Sequence, residues 1–282
     1  MENRWRIKEF AARTGVSEAT LRAWERRYGL LDPSRSDGGY RLYSPADERC
    51  VLAMNAHMSR GVAAAEAAKA ALGEVEAEPT GDVPSDPEEL VAGLLEAVTA
   101  YDATSVDRLL EAAFTLGRPT AISEVLMPVM HEIGERWASG TMTVAHEHFA
   151  SHLVERRLMR QAGEWGGGDG PLALLACPSG ERHTLALLSF GVALAEHGWR
   201  IAYLGADMPI EHVADAAARL QPDAVVLSAT KCERLIDNTA QIGALCADHR
   251  TLVAGPGATV DVARRLKVDR LPLDPVTAAA SL

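Results

Sequence analysis

The four cysteines, Cys50, Cys177, Cys232 and Cys246, are scattered and form no CxxC pair. That spacing argues against a disulfide framework and against a zinc site built on thiolates. No apolar stretch approaches the length of a membrane span. The N-terminal MENRWRIKEF is polar and charged, without the apolar region of a secretory leader. These features predict a cytoplasmic chain with reduced thiols and no membrane partner. Neither GxGxxG nor GxxxxGK occurs after a strand, so nicotinamide and P-loop nucleotide chemistry lose their usual phosphate cradles. No grouping of residues nominates a hydrolytic or redox active site, and a non-enzymatic role is the expectation.

Hydrophobic residues make up 48% of the 282, enough for real cores in two or three domains. The net charge of −11 argues against nonspecific nucleic-acid binding by the whole chain. The charge is uneven, however. Residues 1–72 carry 12 Lys+Arg against 9 Asp+Glu, whereas the remainder carries 16 against 30. A mildly basic head on an acidic body suits a DNA-binding module joined to a sensor.

The head reads as a helix–turn–helix. A short amphipathic helix over Ile7 to Arg13 meets a turn at Gly15-Val16-Ser17, where Ser17 is a good N-cap for a helix starting near Glu18. That second helix carries Thr20, Arg22, Trp24, Arg26 and Arg27 and ends near Tyr28-Gly29. An Asp37-Gly38-Gly39 turn between Arg35 and Tyr40-Arg41 predicts a β-hairpin wing. In this reading the second helix enters the major groove of double-stranded operator DNA. Arg35, Tyr40 and Arg41 contact the backbone beside it. Solvated arginines on an ordinary surface helix are the bland alternative, and the correctly spaced wing weighs against it.

Residues 73–88, GEVEAEPTGDVPSDPE, are acidic, rich in proline and without apolar periodicity, which predicts a flexible linker. Across 89–168, stripes such as Leu90/Leu94/Leu95/Val98 and Ile122/Val125/Leu126/Val129 predict a four-helix bundle. Residues 169–282 alternate strand and helix. Strands are expected at PLALLACP, Arg200–Gly205, Ala224–Ser228 and Thr251–Gly255, with a helix from Glu181 to about His197. The fold class is therefore multidomain, α followed by α/β, ending in a doubly wound parallel, Rossmann-like sheet. Ligands of such sheets bind at the carboxyl ends of the strands, where His183, Gly205, Ser228, Gly255 and Gly257 fall.

The first strand–helix turn reads Cys177-Pro178-Ser179-Gly180-Glu181-Arg182-His183. A carboxylate bonded to the far ring nitrogen fixes a histidine's tautomer and makes it a better metal ligand. By itself Glu-x-His is compatible with a plain surface histidine. Upstream, Trp137 is followed after nine residues by Glu147-His148, which by itself reads as a buried helix tryptophan and two surface polar residues.

Three resemblances bear on these motifs. Ile7–Ala11, Thr14–Ser17, Thr20–Arg26 and Gly38–Tyr43 closely resemble the MerR family of regulators. That resemblance implies a winged-helix dimer on a palindrome. The bundle with the Glu-x-His sheet is similar to the cobalamin-binding modules of methionine synthases and of cobalamin-dependent MerR-type regulators. It implies that His183 is the lower axial ligand to cobalt, that Glu181 is its acidic partner, and that Ala186 stands where the family has glycine. Ser228-Ala229-Thr230 and Gly255-Pro256-Gly257 stand in for the family's Ser-x-Leu and Gly-Gly. Trp137–x9–Glu147-His148 matches the signature of the light-sensing CarH-type repressors, and implies that these side chains pack over the adenosyl group of adenosylcobalamin. The implied action is a switch in assembly, dimer or tetramer, and in DNA avidity when light breaks the cobalt–carbon bond. Some light-sensing relatives carry a histidine after the tryptophan as a second cobalt ligand. Here that residue is Ala138, leaving His146 or His148 as substitutes. The alternatives are light-independent sensing of cobalamin, a bilin in the same cleft, a corrinoid methyl carrier, and a ligand-free sheet used for protein contacts.

Overall fold

The computed structural model describes residues 4–35, 39–77, 84–163 and 165–282. The chain divides into two compact units, residues 1–82 and 83–282.

In the first unit, α1 (Ile7–Thr14) and α2 (Glu18–Tyr28) are separated by Gly15, whose φ of 68° ends α1. Ser17 caps α2, accepting from the Thr20 N–H at 3.1 Å. Strands β1 (Ser34–Arg35) and β2 (Arg41–Leu42) pair antiparallel as the wing. The expected turn at its tip falls partly on residues 36–38, outside the described residues. Next comes α3 (Pro45–Ser59), which starts at a Ser44/Asp47 capping box, and then α4 (Ala64–Ala77). Phe10, Leu21, Trp24, Tyr43, Val51 and Met54 fill the core. The helix runs past Gly73, where the sequence predicts the start of a linker, because GEVEA contains good helix formers. At the other end, Asp86 caps a helix starting at Pro87, so the expected linker overlaps two helix ends.

In the second unit, α5 (Pro87–Thr99), α6 (Ala103–Thr115), a continuous helical stretch, and α9 (Val144–Gln161) make the bundle. The stretch consists of α7 (Arg118–Thr120), a π-helical segment (Ala121–Leu126) and α8 (Met127–Ala138). The sheet follows as β3 (Leu172–Pro178), α10 (Leu185–Glu196), β4 (Arg200–Met208), α11 (Ile210–Leu220) and β5 (Ala224–Ser228). It continues with α12 (Cys232–Ile236), α13 (Thr239–Asp248), β6 (Thr251–Ala254), α14 (Val260–Leu266), β7 (Asp269–Arg270) and α15 (Pro275–Ala280). All five strands are parallel in the order β4-β3-β5-β6-β7. The strand order reverses between β3 and β5, and open α/β sheets bind ligands at that switch point. The two-residue edge strand β7 was not anticipated, and the residues from Glu181 to Thr184 form a loop, not the first turn of α10.

Bundle and sheet share one core. Leu187 to Leu194 of α10 are all buried, Ser189 and Gly191 included. One side of that helix faces Leu175 and Cys177 of β3; the other meets the bundle core through α9. A helix apolar on all sides must be covered on all sides, so bundle and sheet fall within one compact unit. Polar ties reinforce the contact. Ser123 Oγ donates to Asp274 at 2.7 Å, and Arg118 pairs with Glu196 at 3.2 Å. On the opposite face, α11, α13 and α14 cover Val225, Leu227 and Val253.

Candidate functional site

The site begins where β3 ends. The loop after Pro178 carries Gly180, with φ 79°, then Glu181 and His183. Glu181 is only 2% exposed, and its carboxylate accepts four hydrogen bonds. The His183 ring donates from Nδ1 at 2.5 Å and the His183 backbone N–H at 3.0 Å, both to Oε1. Thr230, in the loop after β5, donates its backbone N–H at 2.7 Å and its hydroxyl at 2.6 Å, both to Oε2. The cradle thus bridges the loops on either side of the switch point.

Burial works against the Glu181 carboxylate, but the bonds from Thr230 and His183 outweigh it and hold its pKa down to about 2. A carboxylate held ionised keeps the ring proton on Nδ1, which leaves Nε2 as a lone-pair donor. The His183 side chain is 68% exposed. Burial first, and then the Glu181 charge, push the neighbouring Cys177 thiol up to about 12, so it is an inert core group.

Thr230 was noted in the sequence only as the end of a relaxed Ser-x-Leu motif, not as a site residue. Its signal was a hydroxyl two residues beyond a buried strand, too common a pattern to single out. Ser228 is buried at the end of β5. Gly255 and Gly257 have packing reasons of their own. A Cβ on Gly255 would lie 2.6 Å from the Ala229 carbonyl oxygen, and one on Gly257 would lie 2.6 Å from the Lys231 backbone. Gly205, with φ 82°, sits where the β3–β4 register shifts. Ala186 is half-buried in the first turn of α10.

In the bundle, Trp137 lies at the end of α8 and is 53% exposed, which overturns the reading of a buried helix tryptophan. Glu147 and His148 lie in the first turns of α9. His148 Nδ1 meets Glu147 at 2.5 Å, and Ser151 donates its hydroxyl to the same carboxylate at 2.7 Å. His146 is occupied otherwise. Its Nδ1 accepts the Thr143 N–H at 3.2 Å as part of the α9 cap, and Tyr101 stacks on the ring.

The donor set fits a corrinoid. A zinc-type site needs three or four protein ligands. No group of three or more His, Cys, Asp or Glu able to hold a metal ion occurs among the described residues. A single tautomer-fixed imidazole suits a cobalt that brings its own equatorial nitrogens.

Family models match in the same places. A MerR HTH family regulatory protein model covers residues 5–73, and B12 binding domain models cover 90–160 and 171–276. The chain is 36% identical over 260 residues to the HTH-type transcriptional repressor CarA of Myxococcus xanthus, spanning 90% of this chain and 87% of that protein. It is likewise 36% identical to the CarH repressor of the same organism, over 80% of this chain and 79% of CarH. It belongs to the CarA/CarH family of MerR-type transcriptional repressors. As a member of that family it is a regulator with cobalamin-binding and DNA-binding domains, and the bilin alternative gains no support from these matches. Part of the chain also shares its fold with the monomethylamine corrinoid protein of Methanosarcina barkeri. That likeness has a TM-score of 0.60 at 15% identity and covers 70% of this chain and 98% of that one.

The DNA-binding unit of this CarA/CarH-type chain sorts its candidate residues by exposure. Arg22, Arg26, Arg35 and Arg41 are exposed, and Tyr40 is 59% exposed beneath the Arg6 guanidinium. Trp24 is not on that surface. It is 8% exposed, because the i, i+3 spacing from Leu21 turns both into the core. Thr20 is half-buried, its hydroxyl 2.8 Å from that of Ser17. Glu25, which the sequence did not single out, pairs with Arg41 at 3.0 Å and accepts from the Tyr43 hydroxyl at 3.4 Å, joining wing to helix. Burial, then the Glu25 charge, push that hydroxyl up to about 12. Among the described residues, no helix is long and apolar enough to cross a membrane.

Proposed function

We propose that this chain is an adenosylcobalamin-dependent, light-responsive repressor whose assembly, dimer or tetramer, sets its grip on operator DNA. The observation that carries the reading is the Glu181–His183–Thr230 cradle at the switch point of the sheet. When bound, adenosylcobalamin supplies a cobalt–carbon bond that visible light can break. The residues of the chain supply everything else. His183 would hold the cobalt through Nε2, with its ring fixed by Glu181. Trp137, which is 53% exposed, would meet the adenosyl group from the bundle together with Glu147 and His148. α9 packs on α10 within one core, and a shift at the site would reach the bundle through that contact. Linked heads bind DNA more tightly than single ones, so a change in assembly becomes a change in occupancy.

The test is an absorption spectrum of the full chain mixed with adenosylcobalamin in the dark, desalted and lit with green light, with gel filtration before and after. A retained corrinoid spectrum that changes on illumination together with a change in size supports the reading. A retained spectrum with an assembly indifferent to light replaces it with chemical sensing of cobalamin. No retained corrinoid sinks it. His183→Ala should abolish the change in size while leaving the chain folded.

A further inference from the structure

Asp207 lies near the end of β4, outside the cradle, with a backbone φ of 53°. Left-handed backbone is uncommon for any residue but glycine, and aspartate is among those that tolerate it. Here the conformation is tied to the His183 loop by two hydrogen bonds. The Gly180 N–H donates to Asp207 Oδ1 at 2.6 Å, and the Asp207 N–H donates to the Glu181 carbonyl at 2.9 Å. One residue of β4 therefore grips both Gly180 and Glu181, three and two residues before the imidazole. Arg234 closes the same loop from α12, its Nη1 only 2.3 Å from where a Cβ on Gly180 would stand. β4 and β5 flank β3, so the loop is held by Asp207 from one neighbour and by Thr230 from the other.

We propose that Asp207 is a positioning residue for His183: by anchoring Gly180 and Glu181 to β4, it sets the loop in the conformation that presents the His183 Nε2 at the sheet edge. The inference rests on the cobalamin reading for its purpose, but the clamp itself is a property of the chain. Glu181 to His183 lie in a loop ahead of α10, so their conformation depends on such anchors. Losing one charge-assisted bond shifts the loop population roughly ten- to a hundredfold, and the apparent affinity of any ligand needing the anchored form falls with it.

Two substitutions separate the hydrogen bond from the backbone requirement. Asp207→Gly accepts φ 53° freely but removes the acceptor. Asp207→Asn keeps both an acceptor oxygen and tolerance of the left-handed region. Should Asp207→Gly fail to fold, Asp207→Ser, too short to span to Gly180, carries the same expectation. The first readout needs no cofactor. In the full chain labelled with 15N-histidine, the His183 Nδ1 and Nε2 shifts should match between wild type and Asp207→Asn, and should move toward those of a free imidazole in Asp207→Gly. The second readout uses the same proteins loaded with the cobalt(II) form of cobalamin and examined by electron paramagnetic resonance. A 15N imidazole on cobalt splits the lines into doublets, whereas the cofactor's own 14N base gives triplets. Doublets in wild type and Asp207→Asn, reduced about tenfold in Asp207→Gly, are expected. Unchanged imidazole shifts and undiminished doublets in Asp207→Gly overturn the inference. Triplets in wild type overturn His183 as the cobalt ligand and no retained corrinoid overturns the cobalamin reading, and in either case the imidazole shifts decide by themselves whether Asp207 positions the loop.

Discussion

Replacing Glu181 with glutamine tests the physical core of the site, because the carboxylate's environment fixes both the size and the pH dependence of the effect. Its pKa stands at about 2 against an ordinary 4.5. A folded-state pKa below the unfolded value means that the stabilisation is fully present above pH 4.5 and is lost as the pH falls through 2. At about 1.4 kcal/mol per pH unit, that interval is worth about 3 kcal/mol, of which about 2 kcal/mol is gone by pH 3. Glutamine offers one acceptor oxygen where two are used, and its amide N–H groups would face the Thr230 donors or the His183 donors. Leaving buried donors unpaired should make Glu181→Gln about 3–5 kcal/mol less stable at pH 7. The assay is equilibrium urea unfolding of the full chain at pH 7, 5 and 3. Each point is followed by a hydrogen-exchange pulse at fixed pH and mass spectrometry of peptides from β3 and β5. The gap between wild type and variant should narrow by about 2 kcal/mol from pH 7 to pH 3. A gap that stays constant would refute the reasoning, since the carboxylate would then not be the group that titrates with folding.

Further expectations follow from exposure and packing. Trp137→Ala should change the melting temperature little, because surface substitutions stay within about 0.5 kcal/mol, yet weaken retention of adenosylcobalamin more than that of hydroxocobalamin in a desalting assay. Trp24→Ala should destabilise the first unit by about 3–5 kcal/mol as a core truncation. Arg26→Ala should leave melting unchanged and lower the salt slope of operator binding by about 1. Melting curves beside gel-shift titrations at several salt concentrations distinguish the two, and equal loss of stability in both would refute the assignment. Gly255→Ala forces a side chain onto φ 84° and into the Ala229 carbonyl. It should cost at least about 1–3 kcal/mol, read as a lowered midpoint for the sheet unit even without a corrinoid.

Much of the fold was legible because periodicity is a local property. Runs such as LALLACP and AVVLS, short and bounded by turn residues, read as buried strands, and Ser17 announces a helix start by side-chain chemistry within three residues of the cap, whereas Asp86, which caps α5 in the same way, lies inside the stretch that reads as a linker. Glu181 and His183 were legible for the same reason, lying two residues apart after a strand. Trp24 misled because charged neighbours surround it along the chain, whereas burial follows the helix face it shares with Leu21.

The helices of the head and bundle, the individual strands and the Glu-x-His turn were legible because each depends on residues within a few turns of one another. How that turn is held rests on contacts remote in the chain. Thr230 reaches Glu181 across 49 residues and Gly180 reaches Asp207 across 27, through strands adjacent in space but not in sequence. The tertiary structure also decided that Trp137 stands exposed while α10 is enclosed, since the exposure of a side chain depends on what packs against its element. Local spacing carries no information about such distant contacts; chain folding supplies it by bringing the loops after β3, β4 and β5 to one edge of the sheet.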